Sequence, residues 1–362
     1  MATMTNVKAQ YTEDAVGQNH PTLADTINRC AVGMNNFRLV KSGANLTLEM
    51  VGGDLVDING DIMRLVGTMP TLTPPSTAIQ IEGITRANPA VVTWTGNGLE
   101  HGRRLKFAGI TQASWNALNA GVYMVGTPGA NSFTLVDLAN AAANTSAYGA
   151  DYVPGTDPGT IQCDTLYYVY LYNSSGTATL EASTTVPVAD TKGRWTKTND
   201  TARRLMGMAL RLYDGTWISD GTCVRSFNHR MATFTSAQLA SPRPQAAASW
   251  TEPTGAAEAR VRFLAWGDEV WTIALSGTHT QVDNTGTVTG WISIGVDSTS
   301  APNEFTAETM TYNVVKHAHV VTQQFPAMGL HYAAMVTMVS PGATANCSLG
   351  ASTSLRAGVA GR

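Results

Sequence analysis

Between residues 163 and 230 the apolar and polar positions fall into short runs with no helical period. Residues 165–172 pack aromatic and β-branched side chains without a break, Tyr167, Tyr168, Tyr170 and Tyr172 among them, and 205–212 is a second apolar run. Neither run alternates, so each predicts a strand covered on both faces, in the middle of a sheet. Asn173, Ser174, Ser175 and Gly176 make a turn of hairpin length into a return strand over 177–182. Asp214-Gly215 and Asp220-Gly221 predict turns into short strands over 216–219 and 222–227.

Upstream, residues 1–20 are polar and aperiodic, and such a segment does not order on its own. Behind Pro21, apolar residues recur at helical spacing: Leu23, Ile27, Cys30 and Met34. They predict a helix ending at Asn35-Asn36. It reads either as a helix packed on its own domain or as an arm docking on another protein, with Leu23, Ile27 and Met34 as the docking face. Residues 45–50 alternate as a half-buried strand does. The runs 55–58 and 61–66 flank Asn59-Gly60, the strongest short hairpin signal in the chain, because both turn positions need positive φ. Pro70, Pro74 and Pro75 make 68–76 an extended linker.

Residues 79–155 read as an insertion. Short strands over 90–94, 104–107, 122–125 and 132–136 are separated by Gly, Asn and Pro turns, the pattern of a small barrel or sandwich. The Pro-rich segments 71–76 and 153–159 suit the two seams. The expected partition is therefore an arm and helix over 1–37, a central β domain from 38–78 and 156–231, an inserted β module over 79–155, a linker over 232–256, and a C-terminal domain over 257–362. In the last, strands are expected over 260–266, 270–276, 290–296, 309–315, 318–323 and 331–339, with a Gly/Ala/Ser-rich tail from 350 that frays or wraps around partner chains. Six strands without a helical stretch predict an antiparallel β-sandwich, a jelly roll being one form of it. The fold class is mainly β.

Composition narrows the chemistry. Only 14% of the 362 residues are charged and the net charge is −3, with no basic cluster, so nucleic acid is not an expected partner. No run is long enough to cross a bilayer as a helix and none resembles a signal-peptide core, so no membrane insertion is expected. The cysteines, Cys30, Cys163, Cys223 and Cys347, lack metal-binding spacing; Cys163 and Cys223 bracket the 163–230 block and read either as neighbours in space or, the favoured reading, as two buried free thiols. No nucleotide-binding or nucleophile-elbow motif stands in a strand–helix context. Acids that a glycan-cleaving enzyme would pair, Asp268, Glu269, Glu304 and Glu308, all lie beside turn residues, where acids serve solvation. His317 and His319 share one strand face, weak metal candidates to which His331 could add, with two partly exposed histidines as the plainer reading. Trp266 and Trp291 sit beside turns or glycines. With Tyr312 they are the candidate ring platforms for a sugar, against the simpler reading of aromatic core. No cofactor is expected, and the chain is not expected to be an enzyme.

Two stretches carry resemblances. LYYVYLYNSSGTATLEASTT, then RRLMGMALRLYDGTW, then CVRSFNHR resembles a block found in fibre and tail proteins of tailed bacteriophages, although the end from Arg225 to Arg230 lacks the tryptophan usual there. NPAVVT, GLEHGRRLKFAGI, LNAGVYMV and NSFTL resemble a β module recurring in phage structural proteins, itself similar to the first catalytic-cysteine half-domain of ubiquitin-activating enzymes. This stretch has no cysteine, so no thioester chemistry is implied. The resemblances imply a virion structural protein made in the bacterial host cytoplasm, most simply a homotrimeric tail or neck fibre. It would be held to other virion proteins by its N-terminus and would present its C-terminal sandwich to host-surface glycan. A head-decoration or collar protein that only stabilises the particle is the alternative, and a glycan depolymerase a third.

Overall fold

The computed structural model describes residues 3–6, 37–51, 54–59, 61–76, 78–138, 141–191, 193–218, 223–228, 230–245, 247–253, 259–281, 287–311, 315–340 and 347–360. The helix expected over 21–36, with Leu23, Ile27 and Met34, lies outside the described residues, as does Tyr312. The described chain is nearly all strand, with one 3₁₀ turn at Asn116–Ala120. It divides into two compact units, one from Met1–Ser76 and Thr165–Met231, the other from Thr77–Asp164 and Ala232–Ala360.

In the first unit the two uninterrupted apolar runs form the strands Thr165–Ser174 and Asp200–Arg211, paired antiparallel at the middle of a nine-stranded sheet. Their buried stretches, Tyr167 to Leu171 and Arg204 to Arg211, hide successive residues on both faces, as a doubly covered strand must. The return strand is Thr177–Ser183; Ser174 pairs with Thr177, and Ser175 and Gly176 take φ of 50° and 86° in the two-residue turn. Leu55–Ile58 and Asp61–Val66 pair as a second hairpin, with Asn59 at φ 54°. A smaller three-stranded sheet, Phe37–Ser42, Asn45–Met50 and Thr71–Leu72, supplies Phe37, Leu39, Leu46 and Leu48 to the same core as Tyr167, Val169, Leu171 and Trp217. Ser226 Oγ accepts the Leu39 N–H at 2.7 Å, and Lys41 Nζ donates to the Trp217 carbonyl at 2.7 Å. The strand expected over 216–219 is reduced to one bridge, Arg211 to Trp217, because the Trp217 indole turns into the core instead of extending a ladder.

The second unit contains the module and the sandwich. The module is a seven-stranded antiparallel sheet in the order Ile79–Gln80, Thr160–Cys163, Arg104–Ala108, Val122–Pro128, Ser132–Asp137, Val91–Thr93, Gly83–Ile84. Its core joins Val92, Leu105, Phe107, Val125, Phe133 and Leu135 to Trp115, whose ring lies edge-on to Tyr148 and Tyr152. Thr160–Cys163, read from sequence as part of the central domain, pairs here with Arg104–Ala108.

In the sandwich, one sheet holds Thr233–Gln238, Arg243–Gln245, Trp271–Gln281, Val315–Gln324, Cys347–Leu349 and Ser354–Val359. The facing sheet runs in the order Val261–Ala265, Gly329–Val339, Thr287–Val296, Glu304–Thr311. Taken along the chain, the strands switch sheet at every step except between Thr287–Val296 and Glu304–Thr311, and the first and last strands are each broken in two. This is the connectivity of an eight-stranded jelly roll. Its interior packs Phe263, Trp271, Ile273, Leu275, Ile292, Ile294 and Leu355.

Two readings of this region are corrected. The expected linker over 232–256 supplies two strands. Pro244 fits in one of them because Arg243–Gln245 is an edge strand, where a missing N–H costs no ladder bond. The expected loose tail is the internal strand Ser354–Val359, hydrogen-bonded to Thr233–Gln238 on one side and to Trp271–Gln281 on the other. Leu355 and Ala357 point inward into the core.

Candidate functional site

Few of the residues singled out from sequence come together. Trp266 is fully buried, 0% exposed, so it cannot serve as a platform for a sugar ring; its neighbour Glu269 is buried too, and Glu269 Oε2 accepts the Trp266 N–H at 2.9 Å. That acid shapes a turn. Trp291 is half-buried, on the face of its strand turned away from the sandwich interior. His317 and His319 project from the open face of Val315–Gln324, opposite Thr278 and Ser276. His331 stands on the other sheet, bonded to different partners. Among the described residues no group of three His, Cys, Asp or Glu side chains is placed to hold a metal ion. Cys163, Cys223 and Cys347 are all buried.

A concentration of polar chemistry lies where the module meets the jelly roll, and sequence reasoning did not find it. A small cavity of about 40 Å³ is walled on one side by Glu100, His101, Gly102, Arg103 and Arg104, and on the other by Arg260, Arg262, His331 and Tyr332. That volume holds a few waters and no sugar ring.

Its geometry is set from both sides. Arg260 forms a nearly buried, two-toothed ion pair with Glu252, its Nε donating to Oε1 at 2.8 Å, and its Nη2 also donates to His101 Nε2 at 2.9 Å. The other ring nitrogen, His101 Nδ1, lies 2.5 Å from the Gly126 carbonyl. A guanidinium can only donate and a carbonyl can only accept, so His101 is the Nδ1–H tautomer with its Nε2 lone pair toward Arg260. Gly102 is required at this spot. It has φ +78°, and a Cβ there would lie 2.0 Å from Arg260 Nη1. Arg262 pairs with the buried Asp164 carboxylate, and Arg103 Nη1 donates to the Asp164 carbonyl at 2.9 Å.

Across the cavity, His331 meets an acceptor at each ring nitrogen, Asp297 Oδ2 at 2.6 Å and the Ala327 carbonyl at 2.8 Å. Both nitrogens must carry protons to satisfy both. Burial alone would pull its pKa down, but the Asp297 carboxylate and the Ala327 carbonyl outweigh that and hold it above the ordinary histidine value. Asp297 is fixed in turn by the Tyr332 N–H at 3.0 Å. Burial pushes the Tyr332 phenol up to about 12, so it stays a neutral hydroxyl.

Glu100, Glu252, Asp164 and Asp297 thus stand against the arginines and the charged histidine. An arrangement in which acids already answer the cations joins two surfaces; it does not recruit an anion. Removing one member of such a desolvated pair costs about 3–5 kcal/mol, because its partner is left charged and buried.

No family model and no curated relative matches the sequence. Solved structures with some similarity include the structure of infectious bursal disease virus Gx strain, 11% identical over 99% of this chain and 70% of that one, with a TM-score of 0.25. The infectious bursal disease virus VP2 subviral particle is 9% identical over 91% of this chain and 67% of that one, TM-score 0.26. Dimeric latent PorU from Porphyromonas gingivalis is 9% identical over 78% of this chain and 24% of that one, TM-score 0.24. TM-scores of this size establish no common fold.

Proposed function

We propose that the chain is a structural subunit of a bacteriophage virion, a trimeric tail or neck fibre that attaches by its N-terminal segment and turns its jelly roll outward. The observation that carries the reading is the eight-stranded jelly-roll connectivity of the C-terminal part, an architecture that recurs in viral capsid and lectin domains. Three further features support it. The Tyr-rich block that resembles phage fibre proteins forms the centre of a sheet. The polar site between the module and the jelly roll is an ion-paired joint with a cavity too small for a glycan. Charge is sparse, as suits a chain that buries surface against copies of itself and other virion proteins. In this reading the protein is made in the bacterial cytoplasm, acts in the particle without a cofactor, and is not an enzyme. Weak glycan contacts made by several subunits would add up through avidity.

The burial of Trp266 favours a second reading, because it removes one of the candidate sugar platforms. A head-decoration or collar subunit needs no receptor contact at all. Antibody labelling of intact particles, combined with adsorption of the purified protein to host cells, separates the two. Label on a fibre with specific adsorption supports the first. Label on the head or collar without adsorption supports the second. Absence of the chain from purified particles contradicts both.

A further inference from the structure

His101 and His331 line the same joint, and their partners demand opposite protonation states. His101 must keep a bare Nε2 to accept from Arg260; His331 must carry protons on both nitrogens to serve Asp297 and Ala327. We propose that the contact between the module and the jelly roll is an acid-opened latch, and that His101 is the group whose protonation releases it.

The argument is steric and electrostatic. A second proton on His101 would sit on Nε2, 2.9 Å from a guanidinium nitrogen that is itself a donor and always charged. The hydrogen bond is lost and two like charges are left in contact. The ring cannot turn to avoid this, because its Nδ1 is held by the Gly126 carbonyl.

The surrounding charges do not rescue the imidazolium. Glu252 is engaged by Arg260 on both oxygens, and Asp164 is engaged by Arg262. Glu100 is largely solvated and faces Arg103 at 3.6 Å. Arg104, Arg262 and His331, which also line the cavity, add positive charge. Arg260 cannot swing toward the module to make room, since its guanidinium already lies against Gly102 with no space for even a methyl group.

Release would be local. Among its described contacts the latch involves the Glu100–Arg104 edge of the module and the Arg260–Arg262 and His331–Tyr332 edges of the jelly roll. The core strands Trp271–Gln281 and Ser354–Val359 pair with one another and not with the module. They therefore serve as an internal reference that separates opening of the joint from unfolding of the sandwich. His331 keeps both its protons under the same acid conditions, so its contacts persist while those of His101 fail.

The test is hydrogen–deuterium exchange on the full chain, with rates corrected for intrinsic chemistry, between about pH 7.5 and about pH 5, a span that brackets ordinary imidazole titration. Because His279, buried without a hydrogen-bond partner, makes the whole sandwich acid-sensitive, the series is run in a His279→Leu background: protection over 100–106 and 259–264 should fall at least about tenfold on acidification, with 271–276 and 354–359 unchanged. In His101→Gln, whose side-chain oxygen can still accept from Arg260 but cannot titrate, protection at the joint should stay constant over the same range. Should that variant fail to fold, Arg260→Met combined with Glu252→Gln replaces it, so that no buried carboxylate is stranded: the joint is looser at every pH, and the acid response disappears because no guanidinium remains to oppose the second proton. A wild-type joint indifferent to pH overturns the proposal. So does an acid response that survives unchanged in His101→Gln or in the Arg260→Met, Glu252→Gln double variant.

Discussion

Asp157 Oδ2 accepts the backbone N–H of Gln112 at 2.9 Å, tying the end of the module to a loop at its middle. The same oxygen takes the N–H and the hydroxyl of Thr111, and Oδ1 takes the N–H of Gly159. Asp157 is almost fully buried. Burial alone would raise its pKa, but these bonds more than offset that and leave it below the ordinary carboxylate value.

Asp157→Ala should therefore destabilise the module by about 3 kcal/mol at neutral pH, since three backbone donors lose a charged acceptor. The sign with pH follows from the lowered pKa. The contribution is complete above the ordinary carboxylate range and is lost as pH falls through the native value. Urea unfolding followed by Trp115 fluorescence, at neutral and at acid pH, should show the variant and the wild type converging in acid. A difference that persists in acid would count against this role.

His279 predicts a different acid response. Its ring is fully buried between the sheets, neither nitrogen has a hydrogen-bond partner, and burial pulls its pKa down to about 4. The unfolded chain takes up a proton near pH 6.5 while the native chain resists until about 4. The jelly roll should thus lose about 3 kcal/mol of stability across that interval. His279→Leu should remove this slope and leave the sandwich the more stable form at pH 5. Denaturant midpoints measured across the interval check it; parallel slopes in the two proteins would refute it.

Gly207 lies in the buried middle of Asp200–Arg211, where a Cβ would stand 2.4 Å from the Arg225 carbonyl oxygen and 2.9 Å from Leu39 Cδ2. Gly207→Ala should cost about 2–4 kcal/mol, because backbone on one side and packed core on the other leave no route of relief. Thermal unfolding checks this, with Gly176→Ala as the comparison. Gly176 has positive φ, which Gly207 does not, but meets nothing within 4 Å, so its loss should cost about 1 kcal/mol.

These positions show what was legible in the sequence. The hairpins at Asn59 and at Ser175-Gly176 announce themselves because only a few residue types tolerate positive φ. The doubly covered strands of the first unit announce themselves by the lack of any polar alternation. The edge strand containing Pro244 and the internal strand Ser354–Val359 were hidden. A proline signals a break unless its edge position is known, and small residues such as Ala357 and Gly358 look like a loose tail until a neighbour fills the space beside them. The joint was least visible of all. His101, Glu252, Arg260 and Asp297 come from three separate stretches of the chain, and what unites them is a register set by pairings such as Val261–Ala265 with Gly329–Val339. One signal was present: Gly102 next to a histidine, before a strand that begins with arginine.

The proposed role depends on many short, sparsely charged strands building a multi-chain scaffold and not a reactive pocket. Sedimentation of the purified full chain in dilute buffer tests that claim most directly. A single species of three times the chain mass, stable on dilution, is the predicted result; a monomer at all concentrations would contradict it.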